Sequence, residues 1–187
     1  MSKFPLNALS GYNRVLGIFY ILFVARKAMG INMALEEDVV NKLIEKNYHI
    51  SFAESCTGGL CCGTLVNVTN ASKVLDVSFT TYANEAKIEF LGVKADTILK
   101  YGVVSEEVAY EMAEGVAKTA GSEVGVGITG IAGPGGGTAK KPVGMVCFGF
   151  SINGKVFTFT QQFGEIGRNQ VRKSSVEFVF SKLKELL

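Results

Sequence analysis

The sequence has a single histidine, His49, and its four cysteines form no Cys-x-x-Cys pair. Zinc sites are mostly built from such pairs together with histidines, so a metal site is disfavoured. Three of the cysteines crowd into residues 56–62, and two of them are adjacent, which is a poor spacing for disulfide bonds. We therefore expect reduced thiols, a cytoplasmic protein and no metal or cofactor.

Neither sign of charge is in excess. The 19 basic and 17 acidic residues leave a net charge of +2, so the composition does not indicate a nucleic-acid partner. The apolar run over residues 16–25 is ten residues long. About 18 are needed to cross a bilayer. Arg26 and Lys27 follow the run directly, where a signal peptide would have small residues at its cleavage site. We expect no membrane partner.

What the sequence does contain is enough for one folded domain. It has 187 residues, 48% of them hydrophobic, which suffices for a sizeable core. A well-formed amphipathic segment opens at Met33, so we predict a single domain over residues 33–187. Residues 1–32 are predicted to be an N-terminal extension. It is either an artefact of the choice of start site or a helix that docks on the domain or on a partner.

Hydrophobic periodicity and turn signals predict alternating helices and strands. The predicted helices are 35–46, 58–68, 85–91, 106–120 and 167–187, and the predicted strands are 49–53, 77–82, 124–128, 143–152 and 155–163. Asn84 and Ser105 are predicted N-caps, and Asn153-Gly154 predicts a hairpin turn. This order predicts an α/β fold in which helices cover both faces of a mixed sheet.

Residues 53–59 (AESCTGG) place two hydroxyls, a thiol, a carboxylate and two glycines at a predicted strand-to-helix turn. The N-terminus of a helix exposes backbone N–H groups, which stabilise anions and developing oxyanions. A nucleophile in this turn would have electrophilic groups beside it. Ser55 and Cys56 are both candidates, but an extended backbone cannot point both into one site. Ser55 has a structural alternative, because serine is a preferred helix N-cap.

A glycine-rich loop is predicted over residues 127–141. Six of the twelve residues 127–138 (GITGIAGPGGGT) are glycine, which lets backbone amides converge on an anion or approach a ligand closely. The loop lacks the Gly-Lys-Ser/Thr of a P-loop. It also leads to a strand, whereas a dinucleotide fingerprint opens a helix. A flexible connection between strands is the structural alternative.

Five segments together resemble the CinA C-terminal domain family, which includes the stand-alone nicotinamide-nucleotide amidohydrolases, also called PncC. They are AESCTGG (53–59), TTYANEAKIEFLGV (80–93), YGVVSEEVAYEMAEGV (101–116), GITGIAGPGGGT (127–138) and KPVGMV (141–146). The resemblance runs in unbroken order from Met33 to about Leu187. It implies a three-layer α/β/α sandwich with a mixed sheet. It also implies hydrolysis of the carboxamide of nicotinamide mononucleotide to nicotinate mononucleotide and ammonia, in pyridine-nucleotide salvage, by a homo-oligomer.

The resemblance also assigns residues. The family's Ser, Tyr and Lys functional positions fall on Ser55, Tyr82 and Lys87, and its arginine in the pattern Gly-Asp-Arg-x-x-Val-Arg falls on Arg168. Gly167 stands where the aspartate is usual. The expected substrate-binding residues come from three of the five segments and from the arginine position. They are Thr57, Gly58, Asn84, Thr129, Gly130, Gly133 and Arg168.

The chemistry of the nucleophile leaves alternatives open. A serine attacks an amide only if a base takes its proton, and Lys87 can do so only if burial or a nearby cation lowers its pKa. Tyr82 is expected either to hydrogen-bond Ser55 or to relay its proton. Cys56 is the rival nucleophile, and Glu54 either binds the backbone or orients Lys87. Arg172 and Lys173 are expected to be solvated.

Two functional hypotheses follow. The first is a metal-independent Ser/Lys amidohydrolase that acts on nicotinamide mononucleotide, with Thr57 and the amides near Gly58 as the oxyanion hole. The second is a non-catalytic module that binds nucleotides or regulates, and that keeps the pocket without turnover.

Overall fold

The structure is a computed structural model, and it describes residues 34–187. The predicted extension, residues 1–32, and its apolar run lie outside the described residues. Among the helices that are described, none combines the length and the apolar character that a membrane crossing requires.

The described chain forms six helices and five strands. In order they are α1 (Leu35–Lys46), β1 (Ile50–Glu54), α2 (Leu60–Val66), β2 (Phe79–Thr80), α3 (Asn84–Leu91), α4 (Ala95–Tyr101), α5 (Glu106–Ala120), β3 (Val124–Gly130), β4 (Met145–Ile152), β5 (Lys155–Gln162) and α6 (Arg168–Leu186). A short 3₁₀ turn at Ala71–Lys73 follows α2.

The five strands form one mixed sheet, in the order β2-β1-β3-β4-β5. Strand β1 pairs in parallel with both β2 and β3, while β3, β4 and β5 pair antiparallel. The register places Glu54 between Thr80 of β2 and Ile128 of β3. The carboxyl ends of three parallel strands therefore meet at one edge of the sheet. The predicted mixed-sheet α/β fold is confirmed.

Helix α5 packs closely on one face of the sheet because glycines leave that face bare. A Cβ atom added to Gly127 would lie 2.6 Å from the carbonyl oxygen of Ala109, and one added to Gly125 would lie 2.2 Å from that of Ala113. The alternating apolar residues of β3, including Val126 and Ile128, instead join the main core. The alternation of small and large residues thus sets two different layer spacings on the two faces.

The main core lies on the opposite face, where α1, α2 and α6 contact one another. Its largest fully buried side chains are aromatic, among them Phe52, Phe148, Phe150 and Phe180. Burying side chains of this size contributes on the order of 2 kcal/mol each before conformational entropy is counted. This core fixes the sheet edge on which the polar residues stand.

Helix α3 is placed by a second close contact. A Cβ atom added to Gly115 of α5 would lie 1.9 Å from the carbonyl oxygen of Leu91, the last residue of α3. Only glycine permits this approach. The position of α3 relative to the sheet therefore follows from α5.

Several local predictions are confirmed. The Ser105 side chain accepts a hydrogen bond from the Val108 amide at the start of α5, and Gly121 ends that helix in the left-handed conformation. Asn153 and Gly154 both have positive φ, as the predicted hairpin turn requires.

Other local predictions were wrong. Ala83 is the N-cap of α3, and Asn84 is its first helical residue. Helix α4 was not predicted. Strand β3 runs to Gly130, so Thr129 and Gly130 belong to the sheet and not to the loop, because β4 pairs with them along its full length.

Candidate active site

Ser55 stands at the carboxyl end of β1, where the chain turns towards α2. Its amide donates a hydrogen bond to the carbonyl oxygen of Ile128, at 3.0 Å, which continues the parallel pairing with β3 by one residue. In open α/β sheets, ligands bind outside the carboxyl ends of the strands where neighbouring connections diverge. Ser55 occupies such a point, since β1 leads to β2 on one side and β3 leads to β4 on the other.

Glu54 is fully buried and binds the first turn of α2. Its carboxylate accepts hydrogen bonds from the amides of Gly59, Cys61 and Cys62, at 3.0, 3.1 and 2.9 Å. A carboxylate at this position satisfies N–H groups that have no partner within the helix. Of the two expectations for Glu54, the structure shows backbone binding. These three amides are therefore not free to hold an oxyanion.

The remaining amides of the turn belong to residues 56–58 and to Leu60, whose amide donates to the carbonyl oxygen of Thr57 at 3.4 Å. The Gly58 amide donates to the carbonyl oxygen of Ser55 at 3.1 Å, and Gly58 itself has a φ of 59°. No described backbone carbonyl accepts a hydrogen bond from the amides of Cys56 and Thr57, although both amides lie near enough to the Cys56 thiol to lower its pKa. The amides of Cys56 and Thr57 are thus the candidate oxyanion donors of this turn.

Thr57 does not present its side chain to a ligand. The residue is fully buried, and its hydroxyl has no nitrogen or oxygen partner among the described residues and lies beside the Cys61 thiol. Any contribution of Thr57 to substrate binding must come from its backbone.

Lys87 reaches Ser55 directly. Its Nζ atom lies 3.3 Å from Ser55 Oγ, although the two residues are 32 positions apart in the chain. The same Nζ contacts the carbonyl oxygens of Thr81, Tyr82 and Ala83 at 2.8, 3.3 and 3.5 Å. The three carbonyls can only accept hydrogen bonds, whereas the Ser55 hydroxyl can also donate one. A neutral Lys87 amine would therefore direct its lone pair at Ser55.

Burial shifts the protonation equilibrium of Lys87 towards the neutral amine. The residue is only 1% exposed, and burial lowers its pKa, while the more distant Cys56 and Glu85 raise it by less. Lys87 also lies in the first turn of α3, where the positive end of the helix dipole disfavours a cation. These are the conditions under which a lysine can act as a base at physiological pH.

Cys56 is poorly suited to be the nucleophile. Burial raises the pKa of its thiol to about 12, which outweighs the lowering by its own amide and by Arg172. Because the thiolate is the reactive form of cysteine, a thiol with this pKa is inert near neutral pH.

Tyr82 and Arg168 form an exposed pair at the rim. Tyr82 is 63% exposed, and its hydroxyl accepts a hydrogen bond from Arg168 Nη2 at 2.9 Å. Arg168 Nη1 donates to the carbonyl oxygen of Gly133, also at 2.9 Å. The structure therefore gives Tyr82 a contact with Arg168, and it is the Tyr82 carbonyl, not the hydroxyl, that contacts Lys87. Arg168 is the first residue of α6, so the helix N-terminus adds positive potential there.

The other predicted binding residues divide between the rim and the fold. Asn84 is exposed at the start of α3, beside Tyr82. Thr129 is buried and donates its hydroxyl to the carbonyl oxygen of Val103 at 2.8 Å, so that group is occupied within the fold. A Cβ atom on Gly130 would lie 2.7 Å from the Val146 side chain. Of the predicted loop residues, Gly133 reaches the site, through Arg168.

Arg172 was expected to be solvated, and this was wrong. Its Nε donates to the carbonyl oxygen of Cys56 at 3.1 Å, and its Nη2 donates to that of Thr57 at 2.8 Å. The sequence contains one signal for it: Arg172 follows Arg168 by four residues on a helix, which puts both on one face.

In residues 34–187, no three His, Cys, Asp or Glu side chains form a group that could hold a metal ion. A groove of about 1110 Å³ runs along α3, α4 and α5, and is lined by carboxylates such as Glu107 and Glu114 and by rings such as Tyr110. Ser55, Tyr82, Lys87 and Arg168 are not among its lining residues. The candidate nucleophile and base, Ser55 and Lys87, lie at the carboxyl ends of the strands and not in this groove. The volume of the groove alone does not make it a reaction site.

Comparison with known proteins agrees with this fold. The sequence profile of the CinA C-terminal domain matches residues 32–187. A CinA-like protein of Kosmotoga olearia is 49% identical over 154 residues, which cover 82% of this chain and 37% of the relative. The chain thus spans little more than a third of that relative's length.

Solved structures give the same result. The competence/damage inducible protein CihA of Agrobacterium tumefaciens is 37% identical, with a TM-score of 0.76 over 83% of this chain and 98% of that one. A CinA superfamily protein of Escherichia coli is 32% identical, with a TM-score of 0.79 over 84% of this chain and 95% of that one. With its profile match over residues 32–187, the chain belongs to the CinA family, through the C-terminal domain of that family.

Proposed function

We propose that this protein hydrolyses the carboxamide of nicotinamide mononucleotide to nicotinate mononucleotide and ammonia. The observation that carries the proposal is the 3.3 Å contact between Lys87 Nζ and Ser55 Oγ, in surroundings that lower the pKa of Lys87. Family membership supports it, because the resemblance of the motifs implies this reaction. Such an enzyme would return pyridine nucleotide to cofactor synthesis in the cytoplasm.

In the first half of the reaction, neutral Lys87 takes the proton of the Ser55 hydroxyl as the oxygen attacks the carboxamide carbon. The tetrahedral intermediate carries a negative oxygen, whose stabilisation we assign to the amides of Cys56 and Thr57. The protonated Lys87 then gives its proton to the departing nitrogen, so that ammonia leaves and an ester of Ser55 remains.

In the second half, water replaces ammonia. Lys87, neutral again, takes a proton from water, whose oxygen attacks the ester carbon, and the same amides stabilise the second intermediate. Return of the proton to Ser55 releases the carboxylic acid. The thiol of Cys56 takes no part, since burial keeps its pKa at about 12.

Recognition of the nucleotide is assigned to the rim. The guanidinium of Arg168 is planar, always charged and suited to bidentate contact with phosphate. Its present partners, the Tyr82 hydroxyl and the Gly133 carbonyl oxygen, are neutral acceptors that a phosphate can outcompete. Asn84 stands exposed on the same side as Tyr82. The phosphate at Arg168 would place the pyridine amide towards Ser55.

The test is an ammonia-release assay on purified protein, with chromatography to identify the acid. We expect nicotinamide mononucleotide to be converted, Ser55→Ala to lose at least about 10³-fold in kcat, and nicotinamide riboside, which lacks the phosphate, to react poorly. Release of ammonia by the wild type that does not exceed that of Ser55→Ala would refute the proposal. Light scattering on the same sample tests the homo-oligomer that the family resemblance implies.

A non-catalytic nucleotide-binding module is the second candidate, and one observation favours it. Gly167, with a φ of 90°, stands before Arg168 where the family pattern has aspartate, so a carboxylate is missing from the rim. Calorimetric binding of nicotinamide mononucleotide that is weakened by Arg168→Ala, with no acid formed over hours, would support this candidate over the enzyme.

A further inference from the structure

Arg172 ties the final helix to the turn that follows Ser55. It is half-buried on α6 and donates to two consecutive carbonyl oxygens, those of Cys56 and Thr57, across more than a hundred residues of sequence. We propose that Arg172 is a positioning residue that holds the Thr57 amide of this turn, one of the two candidate oxyanion donors, in its reactive orientation. The inference rests on the proposed function, because the reaction it serves is the attack by Ser55.

The argument starts from the planarity of the peptide bond. The carbonyl of Cys56 and the N–H of Thr57 belong to one rigid plane and point in opposite directions. A hydrogen bond that fixes the carbonyl therefore fixes the N–H as well. The carbonyl of Thr57 and the N–H of Gly58 form the next plane, and that N–H donates to the Ser55 carbonyl. Arg172 thus fixes the first of these planes and adds to the hydrogen bonds of the Gly58 and Leu60 amides that hold the second.

The turn needs such support because its own backbone is permissive. Gly58 and Gly59 have φ values of 59° and 89°, and glycine reaches many other conformations at little cost. On its amide side the turn is held by the Glu54 carboxylate, which binds Gly59. On its carbonyl side it is held by the Arg172 guanidinium. An anion on the N–H groups and a cation on the C=O groups together polarise the peptide units between them.

Arginine suits this task better than lysine. Its Nε and Nη2 atoms project in a fixed planar fork, so one side chain binds two neighbouring carbonyls at once. A lysine at position 172 has one nitrogen, and cannot reproduce both distances with the same rigidity. A conservative exchange should therefore restore the charge without restoring the geometry.

Arg172 differs in role from Arg168, one helical turn earlier. Arg168 contacts the exposed Tyr82 hydroxyl and belongs to the proposed phosphate subsite, whereas Arg172 donates to the backbone of the nucleophile turn. Loss of Arg168 should weaken binding, and loss of Arg172 should slow the chemical step. Substitution of Arg168 is therefore expected to raise KM, and substitution of Arg172 is expected to lower kcat.

The experiment compares Arg172→Ala, Arg172→Lys and the exposed neighbour Lys173→Ala as a matched control. For ammonia release from nicotinamide mononucleotide, we expect kcat to fall about 10- to 100-fold in Arg172→Ala with KM changed less than about threefold. Arg172→Lys should recover only part of the loss. The pH at which kcat is half-maximal should not move, because burial of Lys87 is unchanged. A lower melting temperature with an unaltered kcat would overturn the inference, as would full recovery in Arg172→Lys.

Amide hydrogen exchange separates this inference from the proposed function. If the wild type releases no ammonia, the enzymatic proposal fails, and the turn is judged by exchange alone. Arg172→Ala should then accelerate exchange in the peptide containing residues 55–60 and leave α5 unchanged. Arg172→Lys, which retains the charge, serves as the second variant if the alanine variant does not fold. Unchanged exchange in residues 55–60 would overturn the positioning role.

Discussion

The two halves of the candidate site differ in their exposure to water. The interior half consists of Glu54, Ser55 and Lys87, and the rim consists of Tyr82, Asn84 and Arg168. Glu54 and Lys87 are at most 1% exposed, whereas Tyr82 is 63% exposed. In the interior half, burial lowers the pKa of Lys87. At the rim, water screens the charges, so a single contact there contributes little unless a ligand covers it.

This difference teaches where each kind of mutation should act. In the proposed reaction, groups of the interior half are expected to act on the barrier, because electrostatic interactions are strongest where the dielectric constant is low. Groups of the rim are expected to act on the affinity for the proposed substrate. The effects should therefore decrease in order from Lys87, through Arg168, to a buried residue that belongs to neither half.

The largest effect is expected for Lys87→Met, which keeps the length and removes the base. We expect kcat to fall by about 10³-fold or more with KM nearly unchanged, measured by ammonia release. In the wild type, activity should rise with pH through the lowered pKa of Lys87, because only the neutral amine accepts the Ser55 proton. Equal kcat for wild type and Lys87→Met would remove Lys87 from the mechanism and abolish the distinction between the halves.

Stability provides an independent measure of the same residue. The pKa of Lys87 is lower in the folded protein than its usual value of 10.5, so the unfolded chain binds a proton more readily. The free energy of unfolding therefore rises as pH is raised through the window between the lowered pKa and 10.5, and it is reduced below that window. Lys87→Met should unfold at a higher temperature than the wild type at neutral pH. A lower melting temperature would show that the ammonium is stabilised in place.

An intermediate effect is expected for Arg168→Ala. Loss of the proposed phosphate contact should raise KM for nicotinamide mononucleotide about 10- to 100-fold, with kcat changed much less. Nicotinamide riboside, which has no phosphate, should be converted equally well by both proteins, which serves as the control. If kcat fell and KM did not, Arg168 would belong functionally to the interior half.

The smallest effect is expected for Cys56→Ala. The thiol is buried and protonated, so its loss removes a few packing contacts and should change kcat less than about threefold. Steady-state kinetics before and after treatment with a thiol-alkylating reagent gives the same comparison in the wild type. Inactivation by the reagent that Cys56→Ala prevents would make Cys56 part of the chemistry.

The elements predicted correctly have local signals. Ser105 caps α5 and Asn153-Gly154 makes a hairpin because both depend on a few neighbouring residues. Helix α4 (Ala95–Tyr101) was missed because none of its residues is buried, so it has no apolar stripe to recognise. Helix α3 begins one residue earlier than predicted, at Asn84, because its N-cap is Ala83, which has no capping side chain.

The parts of the candidate site that lie within one sequence motif could be predicted. The parts whose positions depend on tertiary contacts could not. The turn at Ser55 is visible as a sequence feature, but its distance to Lys87 depends on how α3 packs. Thr129 was expected to bind the substrate from the glycine-rich loop, but its pairing with β4 makes it part of the sheet. Arg172 could be placed on one face of α6 together with Arg168, yet which backbone that face meets is decided by the packing of α6 against the sheet edge.

The contact between Gly115 and Leu91 sets a distance within the candidate active site. Leu91 lies one helical turn beyond Lys87 on α3, and the Gly115 backbone allows α3 to approach where any side chain would keep it away. A methyl group added there would act as a spacer between the two helices. The distance between Lys87 Nζ and Ser55 Oγ thus depends on how closely α3 and α5 pack at Gly115. Gly115 itself contacts neither of these two atoms.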